Sequence, residues 1–280
     1  MHGPALTKLA TAFVILFVVF RTLEFFRCRQ QRLPILRHGF LTDLSYWLFT
    51  PFVTKSVTRV CVAAVAIPFA LVVYGKVDRA MLMQSFGPAA RLPLWAQAVA
   101  ILIIGDFVGY WMHRAFHRGR LWQFHAVHHS SVDLDWLSAV RLHPANDALM
   151  RVASTLPILA FGFARVAVAS IVPVLTLMAI LVHANLDWDS GALRGLIVSP
   201  RFHRWHHTDE AQARDKNFAG LLPLWDILFG TYYMPRNKRP ENFGTRTPVP
   251  SDLIGQLIFP FGGSRHASNV YNQDVSRPAA

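Results

Sequence analysis

Long apolar runs alternating with short basic segments set the rhythm of this chain. The first run, about Leu9 to Phe26, is interrupted only by Arg21 and Glu24. A helix needs about 20 residues to cross the hydrocarbon core, so this run is long enough to span. An aromatic-rich stretch, HGFLTDLSYWLFTPF from His38, follows and reads as an interfacial or re-entrant piece. The second run, about Val60 to Tyr74, contains Pro68; membrane helices tolerate proline where neighbours satisfy the freed carbonyl. A connection from Gly75 to Leu92 leads into a third run, about Pro93 to Met112. The next apolar region, Leu149 to Val182, is too long for one crossing and too short for two full ones. Its break near Gly162 to Arg165 predicts a tight helical hairpin, spanning or re-entrant, that returns the chain to the side it left. From about Asp187 the chain is polar and basic, with Trp205, Trp225, Tyr232 and Tyr233, and predicts a cap on the membrane surface. The stretch after Ile258 reads as loosely ordered. The pattern as a whole predicts an all-α, multi-pass membrane helical bundle of about three spans plus the hairpin. Three regions are expected: membrane spans and interfacial segment over 1–92, a central domain over 93–234, and a tail over 235–280.

Composition sharpens this reading. Charged residues are 16% of the chain and hydrophobic residues 53%, and mean hydropathy is +0.31. Soluble domains carry about 25% charged residues, so the chain falls toward the membrane class. The net charge of +12 lies between the apolar runs. It therefore reads as a positive-inside signature beside anionic headgroups rather than as a nucleic-acid surface. Six Lys/Arg follow the first run (Arg27, Arg29, Arg32, Arg37, Lys55, Arg59) and three follow the second (Lys76, Arg79, Arg91). Five follow the third: Arg114, Arg118, Arg120, Arg141 and Arg151. Three crossings put the first and last sets on one side, so the segment after the third run faces the cytoplasm. No cleavable signal peptide is expected, because charged residues follow the first run without a small-residue cleavage site. The two cysteines, Cys28 and Cys61, exclude a disulfide framework, a cysteine-ligated zinc site and an iron–sulfur cluster.

The third run delivers the chain to a concentration of histidines. His113 and His117 are four apart; His125, His128 and His129 form H-x-x-H-H; and His203, His206 and His207 repeat it. His143 and His183 lie between. Residues three and four apart share a helical face, so each group is expected to aim its imidazoles at one point. Isolated His2, His38 and His266 read as ordinary polar side chains. The clusters do not, since packed imidazoles without a metal leave ring nitrogens to satisfy and repel when protonated. Carboxylates are scarce: the three glutamates, Glu24, Glu210 and Glu241, offer neither Glu-x-x-His spacing nor H-E-x-x-H. Nitrogen-rich ligation suits iron, copper or zinc, and about ten imidazoles suit two metal ions.

The ordered set is similar to the fatty acid hydroxylase/sterol desaturase superfamily. The run D-x-x-x-Y-W-x-H-R-x-x-H from Asp106 to His117 resembles its first histidine box, and LWQFHAVHHSS (Leu121 to Ser131) its second. RLHP at Arg141 and HANL at His183 resemble the intermediate histidines. SPRFHRWHH (Ser199 to His207) resembles the third box, and LPLWDILFGTYY (Leu222 to Tyr233) the closing segment. The resemblance spans roughly Leu94 to Met234. It implies an integral-membrane, non-haem di-iron enzyme that uses O2 to hydroxylate or desaturate a C–H bond of a membrane lipid. It implies metal ligation by His113, His117, His125, His128, His129, His183, His203, His206 and His207, with His143 as a tenth ligand or, preceding Pro144, a helix cap or substrate contact. Zinc is a possible substitute for the two irons in purified protein. Asp106, seven residues before His113 on the same helical face, is expected to accept an imidazole N–H or to pair inside the bundle. Asn185, Asp187 and Asp226 are weaker candidates for the same supporting role. Trp122, Trp136 and Trp205 are read as an entrance lining or an interfacial aromatic belt.

With no Gly-rich dinucleotide loop and no cysteine cluster, electrons are expected from separate proteins, a reductase with a ferredoxin or cytochrome carrier. Nucleic acid is not an expected partner. The membrane is the inner membrane of a bacterium or the endoplasmic reticulum of a eukaryote. Two alternatives stand beside this reading. A zinc-dependent membrane hydrolase lacks its glutamate base. A non-catalytic metal transporter requires polar residues along the spans, where Asp106 is almost alone.

Overall fold

The computed structural model describes residues 3–28, 32–78 and 83–262, and these are helical. Helix α1 covers Gly3–Arg27, α2 Phe40–Phe49, α3 Lys55–Tyr74, α4 Leu94–Phe116 and α5 Leu121–His129. Then come α6 (Pro144–Phe161), α7 (Arg165–His183), α8 (Pro200–His207), α9 (Leu224–Leu228) and α10 (Leu253–Ile258). Among the described residues, extended pairing is limited to one bridge, Thr208 with Phe243. Masses of exposed Val, Leu, Ile and Phe on α1, α3, α4 and α7 are what a bilayer would cover.

Four stretches are long and apolar enough to cross: Thr7–Arg27, Phe40–Tyr74, Leu94–Phe116 and Arg165–His183. The first and third match the apolar runs. The second corrects the expectation of a separate interfacial piece before a span at Val60. A π-helical turn over Thr50–Thr54 joins α2 to α3, with the Lys55 N–H bonded to the Thr50 carbonyl. The wider turn accommodates Pro51, which lacks an N–H, so the helix runs on through a residue that reads as a break. Lys55 and Arg59, counted as loop charges, therefore lie in the helix.

The hairpin is formed as expected by α6 and α7, and α7 is long enough to span. Gly162 closes α6 at φ 70°, its N–H shared between the carbonyls of Ile158 and Leu159. Its carbonyl accepts from the Phe86 N–H at 2.8 Å, and a Cβ at Gly162 would overlap the Phe86 backbone. Only glycine fits this left-handed, close-packed corner.

Two buried groupings tie the N-terminal helices to the histidine-bearing part. Trp136, fully buried, stacks on Phe20 of α1 at 5.6 Å and meets Trp47 of α2 edge-on. Beside it, Arg37 donates through Nη2 to Asp43 at 2.6 Å and through Nε to Asp135 at 2.7 Å. Arg141 Nε donates to the other Asp43 oxygen at 2.6 Å. A buried charge is tolerated when paired and hydrogen-bonded in this way. Trp136 and Trp205 are both fully enclosed, so they are core residues rather than a belt. His2, Arg29, Arg79, His266 and residues 263–280 lie outside the described residues, whereas Phe259–Phe261, expected to be loosely ordered, form a 3-10 turn.

Candidate metal centre

Two spans end at the histidines: His113 lies in the last turn of α4, and His183 closes α7. The short helices α5 and α8 lie across these ends and carry the two H-x-x-H-H motifs. His117 stands just past α4, as its C-terminal cap residue. Ser199 caps α8, its side chain accepting from the Phe202 N–H, and Pro200 occupies the first turn, where no N–H is needed.

The imidazoles form two groups. His113, His117, His125, His129 and His206 are one; His128, His183, His203 and His207 are the other. Within each, the candidate ligand atoms lie within 4.8 Å of one another. Each H-x-x-H-H motif is thus split between groups, which corrects the expectation that a motif aims at a single point. Helical geometry explains the split. With about 3.6 residues per turn, positions i and i+4 stay within about 40° of one another, while i+3 turns about 60° the other way. His125 and His129 therefore serve the first group and His128 the second; on α8, His203 and His207 serve the second and His206 the first. The groups adjoin, with the rings of His129 and His207 stacked at 4.4 Å.

Hydrogen bonds fix which nitrogen faces inward. His113 Nδ1 donates to the Phe218 carbonyl at 2.8 Å, and His206 Nδ1 to the Lys216 carbonyl at 2.8 Å. His128 Nδ1 donates to the Arg141 carbonyl at 3.1 Å, and His183 Nδ1 to the Ala179 carbonyl at 2.6 Å. His125 Nδ1 meets Asn146 Oδ1 at 2.9 Å, and His117 Nδ1 faces Asp215 at 3.3 Å. A carbonyl only accepts, so the proton sits on Nδ1 and a bare lone pair on Nε2. Yet His128 and His183 bring their Nε2 atoms to 3.1 Å of each other, and His113 and His125 to 3.0 Å. Two lone pairs at that distance repel unless a cation lies between them. Ligands about 2.1 Å from a common metal at a right angle would lie about 3 Å apart. His117 Nε2 and His206 Nε2 are buried without a hydrogen-bond partner among the described residues, as ligand atoms awaiting a metal would be. The donor set fits two metal ions.

Electrostatics point the same way. Burial first, then repulsion from neighbouring rings, holds His125, His128, His129, His206 and His207 well below the ordinary 6.5. His203 follows for the same reasons. Burial also lowers His117, partly offset by its contact with Asp215. Neutral imidazoles are the metal-binding form.

His143 lies in neither group. Its Nδ1 accepts the Ala145 N–H at 3.1 Å, capping α6, and its Nε2 donates to the Leu257 carbonyl at 3.1 Å. Both nitrogens are engaged, so the expected tenth ligand gives way to the helix cap that a histidine before Pro144 also allows. His38, read as an ordinary polar residue, engages through its backbone N–H with Asp133.

Among the described residues, Asp106, Asp187 and Asp226 engage groups other than imidazoles. Asp106 accepts the N–H groups of Leu221 and Leu222 at 2.8 Å and the Trp225 indole at 2.9 Å. Asp226 accepts from Phe218 and Ala219 at 2.8 Å and from the Thr231 hydroxyl at 2.6 Å. Burial pushes its carboxyl above the usual range, against these hydrogen bonds. Both carboxylates pin the loop that brings the Lys216 and Phe218 carbonyls to His206 and His113, so they act one step behind the ring contacts. Asp187 pairs with Arg201 and Arg239, and the Asn185 backbone N–H donates to Glu24. The residues that do touch rings, Asn146 and Asp215, carry no signal in the sequence beyond following RLHP and standing between Arg214 and Lys216.

A water-facing cavity of about 340 Å³ opens on the five-histidine group; His117, His129, His206, Trp122, Asp215 and Thr247 are among its lining residues. Trp122 is therefore at an entrance, its indole N–H donating to Thr247 at 2.9 Å.

These features define a chain with four helices long and apolar enough to cross a membrane and, at the ends of two of them, nine histidines in two groups that could hold metal ions. The sequence model of the fatty acid hydroxylase family matches residues 98–231, the segment that carries all nine clustered histidines. The chain is 30% identical over 201 residues to ornithine lipid hydroxylase OlsE of Rhizobium tropici, covering 71% of this chain and 60% of that protein. It is 32% identical over 166 residues to alkylglycerol monooxygenase of Danio rerio, covering 59% and 36% respectively. It is 30% identical over 194 residues to very-long-chain aldehyde decarbonylase GL1-1 of Oryza sativa subsp. japonica, covering 62% and 30%. The chain thus spans from about a third to three-fifths of the length of these relatives. It belongs to the fatty acid hydroxylase/sterol desaturase superfamily. No solved structure matches it significantly.

Proposed function

We propose that this protein is an O2-dependent, two-iron oxidoreductase that hydroxylates or desaturates a C–H bond in a membrane lipid. The observation that carries this reading is the pairing of bare Nε2 lone pairs at 3.0 and 3.1 Å, in two adjoining groups. Iron held by His113, His117, His125, His129 and His206, and by His128, His183, His203 and His207, would supply the redox chemistry that turns O2 on an unactivated C–H bond. Similarity to a lipid hydroxylase and to a monooxygenase favours lipid oxidation over the hydrolase and transporter alternatives.

The protein's own residues do the rest. Carbonyl and amide acceptors behind Nδ1 hold the rings in one tautomer and one orientation, which tunes and fixes a metal. Burial shields the four-histidine group from bulk water, while the five-histidine group meets water through the cavity at His117. Among the described residues no carboxylate belongs to either group, and Asp215 reaches His117 at Nδ1 rather than at Nε2. The location at the ends of two spans lets an alkyl chain approach from the bilayer while the water-facing cavity serves O2 and electrons. The basic segments around the site support a cytoplasmic face, where a separate reductase and a ferredoxin or cytochrome carrier would deliver those electrons.

Comparative lipid mass spectrometry of cells with and without the gene tests the reading. One lipid class should gain oxygen or lose two hydrogens only when the gene is intact, and a His128→Ala copy should not restore it. Identical lipid profiles across all strains, with expressed protein, would contradict it.

A further inference from the structure

The buried arginines are of two kinds. Arg37 and Arg141 each face carboxylates within the fold. Arg204, next to His203 on α8, is as deeply buried, at 4% exposed, yet no carboxylate among the described residues comes within ion-pair distance of it. Its Nη1 donates to the Leu134 carbonyl at 2.7 Å, and its guanidinium lies 4.3 Å over the Phe243 ring. A cation taken from water without a counter-ion is costly, and the two neighbouring arginines show how this fold normally meets that cost.

Arg204 lines a cavity of about 650 Å³ together with Leu33, Asn185, Arg239 and Phe243. Two acids also line it. Asp133 accepts the His38 N–H at 2.9 Å, and Glu241 is exposed at the surface. Arg239 is 40% exposed at its side chain and reaches Asp187 at 2.8 Å. A second cavity, about 280 Å³, shares Leu33 and Asn185 with the first and is also lined by Phe25 and Phe26, at the end of the α1 span, with Arg21, Glu24 and Arg32. An apolar wall at a span end thus adjoins a buried guanidinium with no ion-pair partner among the described residues, one residue from a candidate metal ligand.

We propose that these joined cavities bind the anionic headgroup of a membrane lipid, its phosphate or carboxylate oxygens pairing with Arg204 and Arg239 and its chains lying along Phe25 and Phe26. Guanidinium forks match both oxyanions, and a free phosphate ion would offer the same oxygens. The apolar wall assigns the site to a lipid. The inference deepens the lipid-oxidising reading, on which it rests, by making the substrate an anionic lipid. Its test reads binding without turnover, so either idea can fail alone.

Full-length protein in phosphatidylcholine nanodiscs doped with phosphatidylglycerol, or separately with oleate, is released into mild detergent and examined by native mass spectrometry. One of the two anionic lipids should be retained about tenfold above its share of the bilayer, the size expected of charge-assisted pairing. Arg239→Ala, at a half-exposed side chain, should lower that enrichment severalfold; Arg204→Gln should abolish it, and Arg204→Lys should keep part of it. Should Arg204→Gln fail to fold, the Arg239→Ala and Arg204→Lys results decide. No enrichment of either lipid in the unaltered protein, or enrichment unchanged in Arg239→Ala and in the Arg204 variants that fold, overturns the proposal. Displacement of the lipid by inorganic phosphate at equal concentration overturns it too, in favour of a free-anion site.

Discussion

At the scale of single residues, the centre depends on what stands behind each ring. Asn146 gives His125 an acceptor for its Nδ1 proton, leaving Nε2 free to face His113 and His129. Removing such a partner typically costs 10- to 100-fold in metal affinity. Asn146→Ala should therefore weaken metal retention by about one to two orders of magnitude, measured by competition with a chelator, while Asn146→Asp, which keeps an acceptor, should retain most of it. Equal retention in both variants and the parent would show that the contact is incidental. The ligand histidines were legible in the sequence because their spacing and number have no cheaper explanation than metal. Asn146 and Asp215 were not legible, because a lone polar residue before a helix or in a basic loop is commonplace. Asp106 stood out by its helical phase with His113, but that phase could not reveal that its partners include backbone N–H groups 115 residues and more away.

Among the elements, the apolar runs announced α1, α4 and the α6–α7 hairpin, and the π-helical turn hid the join between α2 and α3. Pro51 and the polar residues near it imitate a loop; only tertiary packing reveals that the helix passes through. Gly162 was readable as a break, since a glycine followed shortly by a basic residue is a common helix end. His143 belongs to this scale as well, as the residue that starts α6. His143→Ala should lower stability by about 1 kcal/mol, in the range of a lost helix cap, and leave metal content unchanged. His143→Asn, which supplies another capping acceptor, should recover the stability. Thermal unfolding in detergent together with metal analysis reads both, and loss of one metal in the alanine variant would restore His143 to the ligand set.

Across the whole molecule, the fold keeps at least six imidazoles outside the spans neutral by burying them together. Their folded pKa values are below the 6.5 of a free ring, so the unfolded chain binds protons that the folded chain refuses. The stabilisation is present above pH 6.5 and is lost as pH falls toward the folded values. Metal-free protein should thus unfold at progressively lower temperature as pH drops from 7 to about 5, and metal-loaded protein should resist this, because bound metal holds the rings deprotonated. A flat profile for the metal-free form over that range would mean that the rings are already solvated and charged.

Nine imidazoles are arranged for two metals, and a metal count tests this most directly. Protein purified without oxygen and without added metal, then digested for elemental analysis, should contain two irons per chain, falling toward one in His203→Ala with the five-histidine group intact. A preparation with no more than one metal per chain, or with zinc as its sole metal while its cells show no change in any lipid, would contradict it.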